Sequence, residues 1–213
     1  MKFPKINKIM NTKIQNKNNQ VVQNVEQATG LNHIPKIEEL VLSAHDYNSF
    51  FDVFENLEKQ EIGSFVNPTV FKLNDIYVYL GFDRDADYYK NLFTELNNAQ
   101  VSLAPKFIKS VTSDAGFSAT FTQIGDTYSE NLKDFNKFYN SVSKEEKENA
   151  YANIQKLLKL GIINNKILAR NAFEVTPNTH KIVVSDWDSV SHVSNKDDKL
   201  QFLNVARETI FRK

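Results

Sequence analysis

Side chains able to do chemistry are sparse in this 213-residue chain. There is no cysteine, which excludes disulfides, thiolate metal sites and cysteine nucleophiles. The four histidines, His33, His45, His180 and His192, are scattered without metal-ligand spacing, and the last two read as surface residues. Six glycines leave little material for a phosphate-cradling loop. Asp83, Asp85 and Asp87 alternate as calcium ligands can, but no glycine or distal glutamate completes such a loop. Capping of a helix start is the simpler reading. The most informative stretch begins at Leu157. A helix ends at Gly161, and Ile162-Ile163 leads into a loop holding Lys166 and Asn171. Phe173-Glu174-Val175, a turn at Pro177-Asn178 and a strand then deliver Asp186 in the string Asp186-Trp187-Asp188. Trp187 reads as core or as an anchor facing a partner.

These groups need elements to position them. Ile37, Leu40, Val41 and Ala44, then Phe50, Phe51, Val53, Phe54 and Leu57, predict one or two amphipathic helices over residues 31–60. Val70–Leu73 and Ile76–Leu80 flank Asn74-Asp75, a two-residue hairpin turn. A helix over Asp85–Asn98 follows, with Tyr88, Leu92 and Leu96 on one face and Asp85 or Asp87 at its start. Strands at Lys106–Val111 and Phe117–Ile124 are joined through Ser113-Asp114-Ala115-Gly116. The aromatics from Tyr77 to Phe93 read as core. Leu132, Phe135 and Phe138 mark another helix. Ser143-Lys144-Glu145-Glu146 is a capping box with Glu146 reaching back, and Lys144–Glu148 is a solvated face. Gly161 suits the left-handed residue that stops a helix. Ile182–Val184 is a strand, and Leu200, Leu203, Ala206 and Ile210 give a last helix. The fold class is α+β.

Lysine plus arginine and aspartate plus glutamate both total 26, so the formal charge is zero and a generally basic nucleic-acid binder is disfavoured. No apolar run spans a membrane. Residues 1–30 are rich in Asn and Lys, with five lysines before the first acid, Glu26. They read as a flexible tail, an export signal or a basic contact arm.

The stretch from Leu157 resembles the catalytic half of a protein-kinase-like fold. There a loop H-x-D-x-x-x-x-N precedes a strand pair and a metal-binding aspartate. Here Asn164-Asn165-Lys166-Ile167-Leu168-Ala169-Arg170-Asn171 corresponds, with Asn171 at the motif's asparagine and Asp186 at the metal-binding place of the D-F-G element. The strand-strand-helix-strand-strand order of the first half resembles a kinase N-lobe. Glu61-Ile62-Gly63-Ser64-Phe65 falls where a glycine-rich loop begins, Leu80 at the place of the phosphate-contacting lysine, and Glu95 near its glutamate partner. The resemblance covers about residues 60–213 and is closest to small bacterial type III-secreted effector kinases of the OspG/NleH type. Those share a lysine- and acid-rich segment near the C-terminus, here Asn195-Lys196-Asp197-Asp198-Lys199.

The resemblance implies a minimal bilobal fold over residues 31–213, with an antiparallel-sheet N-lobe at about 60–125 and a mainly helical C-lobe at about 126–213. The departures imply a pseudokinase. Asn164 stands at the histidine. Lys166 stands at the base aspartate, Leu80 at the lysine and Phe65 at a glycine, so three parts of phosphoryl transfer are missing together. No catalytic residue is assigned. Asn171 and Asp186 are the nucleotide- and metal-binding positions, for ATP and magnesium. On the plainer reading Asn171 satisfies loop backbone groups, Asp186 caps a turn and no cofactor is bound. The resemblance implies export into host-cell cytoplasm and a host protein partner, with the ubiquitin-conjugation machinery as one class. Without export the chain belongs to bacterial cytoplasm. Two alternatives stand beside this. One is an enzyme with a rewired site, Lys72 or Lys166 supplying the cation, that transfers a nucleotide-derived group to a protein. The other is an unrelated α+β interaction domain.

Overall fold

The computed structural model describes residues 30–124, 132–168, 173–176 and 179–212. The Asn/Lys-rich tail, apart from Gly30, lies outside the described residues, as do Asn171 and the Pro177-Asn178 turn.

The chain enters through a 3-10 turn, Gly30–His33, into α1 (Ile34–Leu42), with Pro35 in the first turn where its missing N–H costs nothing. Helix α2 (Tyr47–Lys59) starts at Asp46. The Asp46 carboxylate accepts the Ser49 N–H at 2.7 Å, and the Ser49 hydroxyl oxygen accepts the Asp46 N–H at 3.1 Å. The apolar stripes of both helices face inward, except that Leu40, expected on the buried stripe, is 37% exposed.

These helices cover one face of an antiparallel sheet built from β1 (Ser64–Asn67), β2 (Val70–Leu73), β3 (Ile76–Phe82), β4 (Lys106–Thr112) and β5 (Phe117–Gln123). The strand order is β1-β2-β3-β5-β4, with α3 (Asp83–Asn98) inserted in the chain between β3 and β4. Strand β1 was not expected, because its exposed-to-half-buried alternation over four residues carries little apolar signal. The β2–β3 turn falls on Asn74-Asp75 as expected, with Asn74 left-handed at a φ of 51°. Asp75 is buried and its carboxylate accepts from Gln123. Helix α3 begins two residues earlier than expected. Phe82 is its cap residue, and Asp85 reaches back to accept the Phe82 N–H at 2.9 Å. Gly81 permits that reach, since a Cβ there would lie 2.6 Å from the Asp85 carboxylate. The capping role of this aspartate run is therefore the one realised at Asp85.

The central strand β3 is buried on both faces. Phe71, Val78, Leu80, Ala119 and Phe121 pack under α1 and α2. Val70, Tyr77 and Tyr79 face the other way, into a second core shared with α3 and with the C-terminal half. An ion pair from Lys109 on β4 to Glu38 on α1 fastens the first layer.

The C-terminal half comprises β6 (Lys133–Asp134), α4 (Phe135–Phe138), α5 (Lys144–Lys159), β7 (Ile162–Asn164), a 3-10 turn (Asn165–Leu168), β8 (Phe173–Val175), β9 (Ile182–Val184), β10 (Val190–His192) and α6 (Lys196–Phe211). Strands β6, β8 and β9 form one small antiparallel sheet, and β7 pairs with β10. Four expectations change here. The helix expected at Leu132–Phe138 is a single turn after β6. Ser143 caps α5, accepting the Glu146 N–H at 3.0 Å, but Glu146 does not close a capping box. Its carboxylate accepts the Ile182 N–H on the outer edge of β9 at 2.9 Å, where the Leu103 carbonyl likewise takes the Val184 N–H. Lys147 is buried rather than solvated, donating to the Tyr139 carbonyl and lying over the Tyr139 ring at 3.4 Å. Gly161 ends α5 with a φ of 76°, as expected. In α6, Leu200 is 55% exposed and Phe202 takes the buried position, with Ala206 and Ile210. Asn195 caps this helix, and Asp197 and Asp198 sit in its first turn where the helix dipole favours them. Among the described residues no helix is long and apolar enough to cross a membrane.

Phe54 is fully buried between α2 and the sheet, touching the rings of Phe50 and Phe71. Phe54→Ala is expected to cost about 3–5 kcal/mol in denaturant unfolding. Leu200→Gln should change stability by less than about 0.5 kcal/mol, and a larger loss would contradict the observed phase of α6.

Candidate functional site

The chemistry-bearing residues meet where β7 and β10 run side by side. Pairing of Asn164 with Val190 sets the 165–168 turn against residues 185–189, and the Asn165 N–H donates to the Ser189 carbonyl at 3.0 Å. Asn164 is fully buried and uses both ends of its amide. Its Nδ2 donates to the Asp186 carbonyl at 2.8 Å, and its Oδ1 accepts the Lys166 N–H at 2.9 Å. One side chain thus holds the loop and the strand exit in register.

The result is a cluster of two carboxylates and one ammonium. Lys166 Nζ lies 2.9 Å from Asp186 Oδ2 and 3.5 Å from Asp188 Oδ1. Asp186 also accepts the Asp188 N–H at 3.2 Å, which is the turn-capping role. Asn67, the last residue of β1, donates to Asp188 Oδ2 at 3.1 Å. Its own Oδ1 accepts from the Thr69 N–H and hydroxyl, which keeps the amide aimed at Asp188. Hydrogen bonding to Asp186, helped by both carboxylate charges, holds the Lys166 ammonium above its ordinary pKa. It is a cation at neutral pH and cannot serve as a base. Burial pulls the Asp186 carboxyl up, but hydrogen bonds from Asp188 and Lys166 and the ammonium charge outweigh it and hold the group below the usual range. Asp188 goes the other way. Burial, then the adjoining Asp186 carboxylate, pushes it up to about 6.

Between this cluster and the first sheet the space is aromatic. The Tyr79 hydroxyl donates to the Ser185 carbonyl at 2.9 Å, and its ring lies 4.6 Å from Tyr89 and 5.2 Å from Phe93. Trp187 is fully buried, edge-on to Phe93, with its indole N–H on the Val184 carbonyl at 2.7 Å. It is core, not an exposed anchor. The Tyr77 hydroxyl reaches Glu174 at 3.4 Å, and Lys72 Nζ lies 5.5 Å over the Tyr77 ring. Burial raises the phenols of Tyr77, Tyr79 and Tyr89 well above their ordinary pKa, so all three stay neutral.

Several sequence-derived positions are not brought to this place. Leu80 points to the opposite face, under α1 and α2, and Tyr79 is the β3 side chain that faces the cluster. Glu95 is exposed on the outer side of α3, whose inner face presents Tyr89, Leu92, Phe93 and Leu96. Phe65 packs edge-on against Phe71, under the α2 side of the sheet. Asn171 lies outside the described residues. Tyr77, Tyr79 and Asn67 were not expected at the site. Strict alternation along β3 was the available signal for the tyrosines. Nothing local marked Asn67.

The Asp188 carboxyl lies above its unfolded value. Its contribution to stability is therefore fully present below the unfolded value near 4 and is lost as pH rises through about 6. Asp188→Asn, which keeps an acceptor for Asn67, should match the wild type at acidic pH and become the more stable of the two above pH 6. Melts across that range check this, and parallel curves would contradict it. No protein-family model matches the chain, and no curated protein matches it.

Proposed function

We propose that this chain is a pseudokinase, a kinase-like bilobal scaffold whose nucleotide cleft is filled by its own side chains and which acts by binding a host regulatory protein. One observation carries the reading. The residue at the base position is an ammonium, and it lies 2.9 Å from the aspartate that would hold the metal. A phosphotransferase needs a carboxylate at the first place, and a divalent cation that bridges phosphates at the second. Here one lysine removes the base and neutralises the metal ligand at once.

The topology supports the same reading. Three antiparallel strands, a helix and two more strands precede a helix, a short strand, the 165–168 turn, a strand pair and Asp186. The strand-strand-helix-strand-strand order of the resemblance lies within this series, with β1 as one further strand before it. In the kinase strand signature V-A-I-K, an alanine lies two residues before the phosphate-contacting lysine. The inward-facing pair two residues apart on β3 is Tyr77 and Tyr79. Two phenol rings then take the volume of a methyl group and a lysine stem, and both are hydrogen-bonded to the C-terminal half. On this reading the cleft leaves no room for ATP and magnesium. The rewired-enzyme reading is weaker for the same reason, since Lys166 is already paired and Lys72 lies over Tyr77.

With transfer chemistry gone, what the scaffold retains is surface. By resemblance it is exported to host cytoplasm and meets the ubiquitin-conjugation machinery, and the lack of cysteine suits reducing cytosol.

Melts with millimolar ATP and magnesium should coincide with melts without them, and a concentration-dependent rise in Tm would overturn the filled cleft. Mixed with radiolabelled ATP and a ubiquitin-charged conjugating enzyme, the chain should co-elute with the enzyme and transfer no label. Label transfer that disappears in Asp186→Ala would make it a kinase. Absence of a complex would reject this partner class.

A further inference from the structure

Asp186 and Asp188 present two carboxylates to one point, and the Lys166 ammonium occupies it. Asn164 holds the Lys166 backbone N–H with one end of its amide and the Asp186 carbonyl with the other, so one fully buried group sets the two backbones from which the ammonium and the carboxylate extend. The far side of Asp188 is taken by Asn67, which ends β1 and leads into the β1–β2 turn. A continuous path therefore runs from the Lys166 ammonium through Asp188 to the first sheet, and the Tyr79–Ser185 hydrogen bond runs parallel to it. Without a cation the two carboxylates would repel each other, and Asp188 would turn toward solvent and away from Asn67.

We propose that Lys166 is a built-in counter-cation that does for Asp186 and Asp188 what a bound divalent metal would do, and so holds the β1–β2 turn on Asp188 with no ligand required. The inference stands on these contacts alone and needs neither the pseudokinase reading nor a partner. It makes the closed arrangement a constant property of the chain. It also implies a latent site, since removing the ammonium leaves two convergent oxygen donors suited to a hard divalent ion.

The test uses the full chain as wild type, Lys166→Arg and Lys166→Met at mildly alkaline pH, where both carboxylates are ionised. Each is melted in chelator and in millimolar magnesium or manganese chloride. Wild type and Lys166→Arg should melt at the same temperature in all three. Lys166→Met, which keeps the stem and loses the charge, should melt about 3 °C lower in chelator and recover with manganese. Adding Asp186→Asn and Asp188→Asn to Lys166→Met should abolish the recovery. If Lys166→Met is unfolded in chelator, recovery of its far-ultraviolet circular dichroism on adding manganese supports the proposal and failure to recover overturns it. Manganese binding to the wild type, seen as loss of the free-ion electron paramagnetic resonance signal at the concentrations that serve Lys166→Met, also overturns it. So does a Lys166→Met melt equal to wild type in chelator.

Discussion

The pleat of β3 is the constraint on which the rest of the structure depends. Because this strand is covered on both sides, every residue from Ile76 to Leu80 is buried, and alternation alone decides which core each one joins. Val78 and Leu80 go under α1 and α2. Tyr77 and Tyr79 go toward α3 and the C-terminal half. A slip of one residue would exchange the two sets, sending phenol hydroxyls into an apolar layer and leaving the Ser185 carbonyl without its donor. The fold is therefore not free to choose what fills the space above Asp186.

A second constraint works from below. The β7–β10 ladder is only three residues long, yet it brings the turn after β7 against the residues after β9. Asn164 completes the alignment from a buried position, where its amide satisfies one backbone group of the turn and one of the strand exit. Charge then follows geometry. An ammonium and two carboxylates in a partly buried space leave one negative charge in excess. The carboxyl nearer the lysine stays ionised, and its neighbour takes up a proton more readily. Such a cluster ties the C-terminal half to the first sheet through the Asn67–Asp188 hydrogen bond.

Much of the local architecture was legible in the residues. The Asn74-Asp75 turn, the Ser143 cap, the Gly161 stop and the Ser113–Gly116 turn are all where their chemistry directs, because each depends on hydrogen bonds or φ angles within a few residues. Errors arose where a remote partner competed with a local one. Glu146 left the capping box for the N–H of Ile182, and Lys147 left solvent for the Tyr139 ring and carbonyl. Leu40 and Leu200 keep helical spacing with buried neighbours but fall at the margins of their stripes, where the neighbouring element does not reach.

The sequence by itself determined the longer helices, the strands β2 to β5 and β9, and that no thiol chemistry is possible. These follow from side-chain type and short-range geometry. Only the tertiary structure decided that Tyr79 and not Leu80 faces Asp186, that Asn67 comes from across the molecule to hold Asp188, and that Lys166 turns its ammonium inward onto two carboxylates. Each of those outcomes depends on which layer covers a given face, and a covering layer is assembled from residues far apart in the chain.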